Sequence, residues 1–238
     1  MNVISADKLS KRYGSLKAVD SVGLSVKKGE IVGLLGANGA GKTTLIKMLC
    51  GMLRPDGGDG QVAGFSISSE GSSIRHHIGY MSQGVSLLEN MSIPENIGFY
   101  GRVYGMDPCQ INARWKELRE ILQLGDHRHK LAEELPSGVR QMLAFAIAVF
   151  HSPKILFLDE PTSGLDPMSR FEIWQQIYRT AYQGTTIMMS THYLDEVWYC
   201  DRLILMENGR IRVEGSPEYF EKITGGKGLK ELFFSQAT

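Results

Sequence analysis

A glycine-rich run, Gly36-Ala37-Asn38-Gly39-Ala40-Gly41, ends in Lys42-Thr43-Thr44. The spacing is G-x-x-x-x-G-K-[ST] with each fixed position filled, the pattern of a loop that cradles phosphate. Glycines let the backbone turn its N–H groups inward around phosphate oxygens. A helix opening at Lys42 would add the partial positive charge of its N-terminus. Lys42 would set a full charge against the β- and γ-phosphates, and the Thr43 hydroxyl would bind Mg2+. Far along the chain, Ile155-Leu156-Phe157-Leu158 leads into Asp159-Glu160. Two carboxylates at the C-terminal end of a buried strand stand where parallel sheets bind ligands. Asp159 would hold Mg2+, directly or through water, and Glu160 would orient or deprotonate an attacking water. Adjacent acids alone are weak evidence, since many strands end in Asp or Glu; the phosphate loop gives the pair its meaning. Together they predict a nucleoside triphosphatase and leave its kind open.

The elements that must position these groups can be read from hydrophobic periodicity. Glu30 to Leu35 is a short apolar run typical of a buried strand. From Gly41 onward Leu45, Met48, Leu49 and Met52 recur at helical spacing. Gly51, Pro55, Gly57, Gly58 and Gly60 then predict a break. Lys154–Leu158, Thr185–Ser190 and Arg202–Met206 read as further buried strands. Asp166 and Pro167 read as a cap and first residue of a helix reaching about Thr180. Strands alternating with helices predict an α/β core with a mainly parallel sheet. The middle differs. Pro94–Gly105 and Asn112–Leu124 read as helices, the second with Trp115, Leu118, Ile121 and Leu122 on one face. No strand pattern appears from about Ser86 to His151, which predicts a helical insert of about 65 residues. The segment after Ile223 is Gly-rich and then apolar, read as a docked or frayed tail.

Composition narrows the function classes. The chain has 238 residues, 26 Lys+Arg and 26 Asp+Glu, for a formal net charge of zero. That balance argues against nucleic-acid binding through a broad basic field and against a polybasic membrane anchor. It also favours association with other chains. No stretch approaches the roughly 18 apolar residues of a membrane span; the richest, Leu143 to Phe150, runs into His151-Ser152-Pro153-Lys154. The N-terminus carries Asp7 and no apolar core, so it does not read as a signal peptide. Cys50, Cys109 and Cys200 are odd in number and scattered, which fits structural thiols in a reducing compartment. His76-His77 and the pair His127 and His129 lack Cys or Asp partners at metal spacing, so no zinc site is expected. Met188-Met189 reads as core packing.

Further motifs follow in a fixed order. Tyr13 stands upstream of the loop in Lys11-Arg12-Tyr13-Gly14. Tyr80-Met81-Ser82-Gln83 ends a short strand before the helical insert. Thr162-Ser163-Gly164-Leu165-Asp166-Pro167 follows the acidic pair, and Ser190-Thr191-His192 ends the next strand. From about Val3 to Ile223 the chain closely resembles the ATP-binding subunit of ABC transporters. The resemblance implies a P-loop NTPase fold of the α/β class: a core with a mainly parallel sheet, an N-terminal antiparallel β part and a helical insert. It implies one ATPase domain over 1–223, with the insert at about 86–151 and a tail at 224–238.

The resemblance also implies roles. ATP and Mg2+ are the implied cofactors. Tyr13 matches the aromatic residue that stacks on adenine, or is an ordinary core or surface aromatic. Gly36 through Thr44 match the phosphate loop. Gln83 matches the glutamine that contacts Mg2+ or the attacking water; the alternative is an ordinary strand-end residue. Asp159 and Glu160 match the strand acid and catalytic carboxylate, and Asp166 the aspartate of a loop crossing a dimer interface. His192 matches the histidine that touches the γ-phosphate, or is a structural histidine. Two such subunits meet head to tail, each ATP lying between one copy's phosphate loop and the other's signature loop.

That signature loop departs from its family pattern of Leu-Ser-Gly-Gly. Here it reads Leu135-Pro136-Ser137-Gly138-Val139-Arg140-Gln141. Pro136 has neither hydroxyl nor N–H to donate. Ser137 and Gly138, before a helix starting near Val139, offer one replacement, with the Ser137 hydroxyl shifted by a residue. The competing reading is a weakened half-site whose partner carries the better signature. Leu87 through Ile97 and Tyr100-Gly101, Tyr104-Gly105-Met106 resemble export-type subunits. The resemblance therefore implies a second copy or paralogous subunit, a separate transmembrane permease, and a place on the inner face of the cell membrane. A non-transport ABC ATPase is the alternative function, and a small-molecule P-loop kinase would lack the Gln83, signature and His192 set.

Overall fold

The computed structural model describes residues 1–84, 86–124, 127 and 129–224. Among them two sheets are formed. The first is antiparallel, in the order β2-β1-β4-β5, from β1 (Asn2–Tyr13), β2 (Leu16–Lys27), β4 (Gly57–Val62) and β5 (Phe65–Ser66). The second has the order β10-β9-β3-β8-β7-β6, from β3 (Ile31–Leu35), β6 (Ile78–Met81), β7 (Ile155–Asp159), β8 (Thr186–Thr191), β9 (Arg202–Glu207) and β10 (Arg210–Gly215). In it β6, β7, β8, β3 and β9 run parallel, and β10 pairs antiparallel with β9. The α/β core with an antiparallel N-terminal part thus stands as expected.

Every residue of β3, β7 and β8 is buried. A parallel sheet covered on both faces needs such continuous apolar strands. Alternation along each strand divides the core. Val32, Leu34 and Phe157 face a cluster shared with Leu45, Ile46 and Leu49 of α1 (Lys42–Leu49) and with the antiparallel sheet. Ile31, Leu35, Leu156 and Leu158 face the opposite cluster, with Phe145 of α5 (Ser137–Val149) and Trp174 of α6 (Pro167–Tyr182). Met188 and Met189 are fully buried, one on each face, as core packing requires.

The remaining helices are α2 (Gly71–His77), α3 (Ile93–Val103), α4 (Pro108–Ile121) and α7 (Pro217–Ile223). Between 86 and 151 the described residues form α3, α4 and α5 with one isolated bridge, Ser92 to Leu131. Leu118 and Leu122 are buried on the predicted face of α4, with Trp115 and Ile121 packed beside them. The apolar tail expected after Ile223 lies almost wholly outside the described residues.

Three boundaries differ from the sequence reading. Gly57, Gly58 and Gly60 are no break: they form β4, with Gly57 opposite Ser10 and Gly60 opposite Ala6 of β1. A Cβ on Gly58 would lie 2.2 Å from the Lys8 carbonyl oxygen, and one on Gly60 2.1 Å from that of Ser5. These glycines therefore mark close backbone approach. Helix α4 begins at Pro108, earlier than Asn112, because Asp107 caps it. The Asp107 carboxylate accepts from the Cys109 and Gln110 N–H groups, and Gln110 accepts in return from the Asp107 N–H. Helix α5 likewise begins at Ser137 rather than near Val139.

Candidate active site

The parallel register aligns the strand ends that carry chemistry. Leu35 pairs with Thr191, Asp159 with Ser190, and Leu158 with Met81. The phosphate loop after β3, His192 after β8, Glu160 after β7 and Gln83 after β6 therefore leave along one edge. This carboxyl edge is where open α/β sheets bind ligands.

The phosphate loop is wedged against its surroundings. Gly41 caps α1 at φ 103°, and a Cβ there would lie 2.2 Å from the Ala18 carbonyl oxygen of β2. The Gly209 N–H donates to the Ala40 carbonyl at 3.1 Å, tying the loop to the β9–β10 turn. Lys42 is 5 % exposed. Its ammonium donates to the carbonyls of Gly36 (2.8 Å) and Ala37 (3.2 Å) and lies 3.7 Å from Glu160 Oε1. Burial draws the Lys42 pKa below its ordinary value, while Glu160 and Asp159 oppose that shift and favour the charge.

Asp159 is fully buried. Its Oδ1 accepts from Thr43 Oγ1 at 3.2 Å and Ser190 Oγ at 2.6 Å. Its Oδ2 has no hydrogen-bond partner among the described residues. An orphaned carboxylate oxygen in a buried setting is costly unless something cationic or water-bearing meets it. Mg2+ fits: it takes one or two protein oxygens, keeps several waters and shares the phosphates of a nucleotide. No group of three or more His, Cys, Asp or Glu residues among those described forms an all-protein metal cage.

Glu160 is the hub. Its backbone adopts φ 53°, a left-handed conformation rare for a residue with a side chain. Its N–H is held by Ser190, through the carbonyl at 3.2 Å and Oγ at 3.0 Å. The carboxylate then meets three groups predicted from sequence. Gln83 Nε2 donates to Oε2 at 2.9 Å, His192 Nδ1 stands 3.3 Å from Oε2, and Lys42 approaches Oε1. Tyr13 at the end of β1 is half exposed. It shares a groove of about 320 Å³ with Asn38, Gly39, Thr44, Gln83 and Glu160.

Ser137, Gly138 and Asp166 are not drawn into that groove. They gather where α5 and α6 begin. Ser137 is exposed as the first residue of α5. A Cβ on Gly138 would lie 2.5 Å from Ser169 Oγ, which donates to Asp166 Oδ2 at 2.6 Å. Asp166 Oδ1 accepts from the Met168 and Ser169 N–H groups, so the carboxylate caps α6 as predicted. Ser169 was not singled out in the sequence. Nor was Arg170, which with Glu196 and with Thr191 of the Ser190–His192 motif braces the His192 turn. Thr191 Oγ1 donates to Glu196 Oε2 at 2.6 Å, and Arg170 bridges Asp195 and Glu196 beneath Tyr193. Gln141 Nε2 donates to the Pro161 carbonyl at 2.6 Å, joining α5 to the residue after Glu160. The signal for these braces was polar residues at strand ends beside apolar runs, which identifies no partner until the fold is known.

Comparison with known proteins gives the chain's family. The family model described as "ABC transporter" matches residues 19–163. The chain is 42% identical over 216 residues to the probable multidrug ABC transporter ATP-binding protein YbhF of Escherichia coli, covering 91% of this chain and 37% of that protein. It is 38% identical over 224 residues to the daunorubicin resistance ATP-binding protein DrrA3 of Streptomyces coeruleorubidus, covering 94% of this chain and 71% of that one. A solved ATP-binding subunit of an ABC transporter superposes with a TM-score of 0.86 at 25% identity, covering 98% of both chains. The chain thus spans little more than a third of the first relative's length. On the matched family model and on relatives aligned over nearly its whole length, the chain belongs to the ABC transporter family.

Proposed function

We propose that this chain hydrolyses ATP with Mg2+ and drives export through a separate permease. The observation that carries the reading is the meeting of Lys42, Gln83 and His192 on one carboxylate, Glu160, beside the buried Asp159. The Gly36–Thr43 loop binds the phosphates, and Lys42 swings from its backbone carbonyls onto the β- and γ-oxygens. Tyr13, at the mouth of the groove, stacks on the base. Thr43 and Asp159, with Gln83 nearby, would hold Mg2+, which would supply charge neutralisation on the phosphates. Glu160 accepts the proton of the attacking water, oriented by Gln83, and His192 donates to the γ-phosphate. These groups stabilise charge where it develops, which is where phosphoryl transfer is accelerated.

Several observations support a two-cassette, membrane-coupled engine. Ser137 and Asp166 are exposed where α5 and α6 begin, and with Gly138 they lie outside the lining of their own groove, open to another subunit's nucleotide. The N-terminus of α5 and the exposed Ser137 hydroxyl would reach that γ-phosphate in place of the serine that Pro136 displaces. A groove of about 510 Å³ opens beside β6, lined by Met52, Tyr80, Met81, Ser82, Val103 and Ile147. It lies next to Gln83 at the junction of sheet and insert, and fits a short apolar helix of the permease. Among the described residues no helix is long and apolar enough to cross a membrane. A place at the inner face of the membrane is therefore reached through the permease. The names of the relatives, multidrug and daunorubicin resistance, favour outward transport.

Phosphate release by the purified protein with Mg2+-ATP, measured against protein concentration, tests this reading. Activity per molecule rises as the head-to-tail pair forms, and Ser137→Ala lowers it. Activity independent of concentration, with Ser137→Ala equal to wild type, would refute the shared site. Val103→Glu should abolish co-purification with a co-expressed permease while leaving nucleotide binding intact; an undiminished yield of permease would refute the docking groove.

A further inference from the structure

Helix α6 buries one face and leaves an aromatic one open. Ile173, Trp174 and Ile177 are buried in the core. On the far side Met168 (66 % exposed), Phe171 (58 %), Tyr178 (44 %) and Tyr182 (95 %) follow one another, with exposed Gln175 between Phe171 and Tyr178. The spacing 168, 171, 175, 178, 182 alternates three and four residues, which makes a single stripe along a helix. At about 1.5 Å per residue the stripe runs roughly 20 Å. Its flank continues into a second element: Tyr178 donates from its hydroxyl to the Tyr199 carbonyl at 3.0 Å, and exposed Tyr199 and Trp198 extend the aromatic surface. Exposed side chains scattered singly need no explanation, whereas a contiguous apolar patch marks an interaction site. The nucleotide groove does not use it, and the Ser137–Asp166 patch meets it only at Met168, whose N–H donates to Asp166 while its side chain stays exposed.

The geometry points to a second copy of this chain as the occupant, seated with its own α6 antiparallel. The stripe is nearly symmetric about Gln175. Turned end for end, Met168 and Phe171 of one helix interdigitate with Tyr178 and Tyr182 of the other, and the two Gln175 side chains meet near the twofold axis. Such an isologous contact needs one patch complementary to itself. The charges agree. Glu172 and Arg179, both exposed, lie on the same side of the stripe, one on each side of its centre. Antiparallel pairing keeps that side of the two stripes together and brings Glu172 of each copy to Arg179 of the other, whereas parallel pairing about a twofold would set both charges against the other copy's aromatic flank. The opposite side of the stripe carries exposed Tyr178 and Tyr199, packed ring to ring over the buried Trp174, so aromatic meets aromatic there. One helix pair is smaller than a stable obligate interface, so association of micromolar strength is expected. It requires no nucleotide and differs from the head-to-tail pairing proposed above, so ATP would join such dimers into larger assemblies.

Sedimentation equilibrium of the full chain without nucleotide tests this. Wild type self-associates; Glu172→Arg weakens the dimer by about tenfold or more through like-charge contact; Glu172→Arg with Arg179→Glu restores it. In a Cys109→Ser background, where the remaining Cys50 and Cys200 are buried, Gln175→Cys should cross-link to itself with a short bis-maleimide. All these positions are exposed, and unchanged thermal melting verifies folding. A wild-type chain that stays monomeric, or a double reversal that fails to rescue, overturns the proposal. So does a stripe protected from modification only when permease is co-expressed. ATP-trapped pairing of Glu160→Gln would survive each of these failures, which keeps the two interfaces separable.

Discussion

The fit of the phosphate loop against β2 can be tested with a pair of glycines that differ in one respect. Gly39 and Gly41 both adopt left-handed backbone, at φ 83° and 103°. A Cβ on Gly39 meets nothing within 4 Å, whereas one on Gly41 would stand 2.2 Å from the Ala18 carbonyl oxygen and 3.3 Å from Met206 Cε. Gly39→Ala therefore costs the left-handed conformation alone, about 1–2 kcal/mol. Gly41→Ala costs the same and adds forced displacement of a backbone carbonyl, about 1–3 kcal/mol more as for overpacked cores. For a chain of this size 1 kcal/mol corresponds to about 2–4 °C in melting temperature. The expected losses are thus about 2–8 °C for Gly39→Ala and about 4–20 °C for Gly41→Ala, read by differential scanning fluorimetry. Binding of a fluorescent ATP analogue should follow the same order, because shifting Ala18 moves β2 and with it the hairpin that carries Tyr13. Equal melting temperatures for the two variants would refute the claim that contact with β2 sets the loop's position.

Two further outcomes follow from buried polar contacts. Gln141→Leu leaves the Pro161 carbonyl without its 2.6 Å donor, which should cost about 1–3 kcal/mol in denaturant unfolding; an unchanged midpoint would show that the bond contributes nothing. Glu30 sits between the Arg202 guanidinium (2.6 Å) and the Lys27 N–H. Burial opposes its charge, but those hydrogen bonds prevail and hold its carboxyl below the ordinary value. A depressed carboxylate stabilises the fold above its unfolded pKa of about 4.3 and loses that contribution as pH falls through the folded value. The melting-temperature gap between wild type and Glu30→Gln should be full at neutral pH and close only as pH falls below the ordinary glutamate range, through the lowered folded value; a gap that widened on acidification would reverse the assigned sign.

The phosphate loop was legible because its chemistry is local: glycines, lysine and threonine act within a few residues, so spacing alone carries the signal. Asp159 and Glu160 were legible by the same logic, as acids ending an apolar run. What places Glu160 on Gln83, 77 residues away, is the parallel order of β6, β7 and β8, which periodicity does not give. The resemblance set both residues about one attacking water but did not give their contact. Gly57, Gly58 and Gly60 misled because one residue type serves both turns and close strand approach, and only the neighbouring β1 decides which. The start of α4 was readable in Asp107-Pro108-Cys109-Gln110, a capping box that the apolar pattern further on obscured. On α6 the cap at Asp166 and Pro167 was readable, but which face packs inward depends on the sheet that Ile173, Trp174 and Ile177 meet. The braces of the His192 turn, Thr191, Glu196 and Arg170, join residues of β8 and α6 that only the fold brings together.

The central claim is that Glu160 takes the proton from the attacking water between two paired cassettes. Glu160→Gln keeps the shape of the hub and removes its proton acceptor, and general-base catalysis is worth about 10²–10⁴ in rate. Single-turnover hydrolysis of Mg2+-ATP, read beside the mass of the complex in solution, measures both halves of the claim at once. Glu160→Gln should bind ATP as tightly as wild type, hydrolyse it at least a hundredfold more slowly, and accumulate as an ATP-bound dimer. Hydrolysis at the wild-type rate, or slow hydrolysis by a chain that remains monomeric with ATP bound, would contradict it.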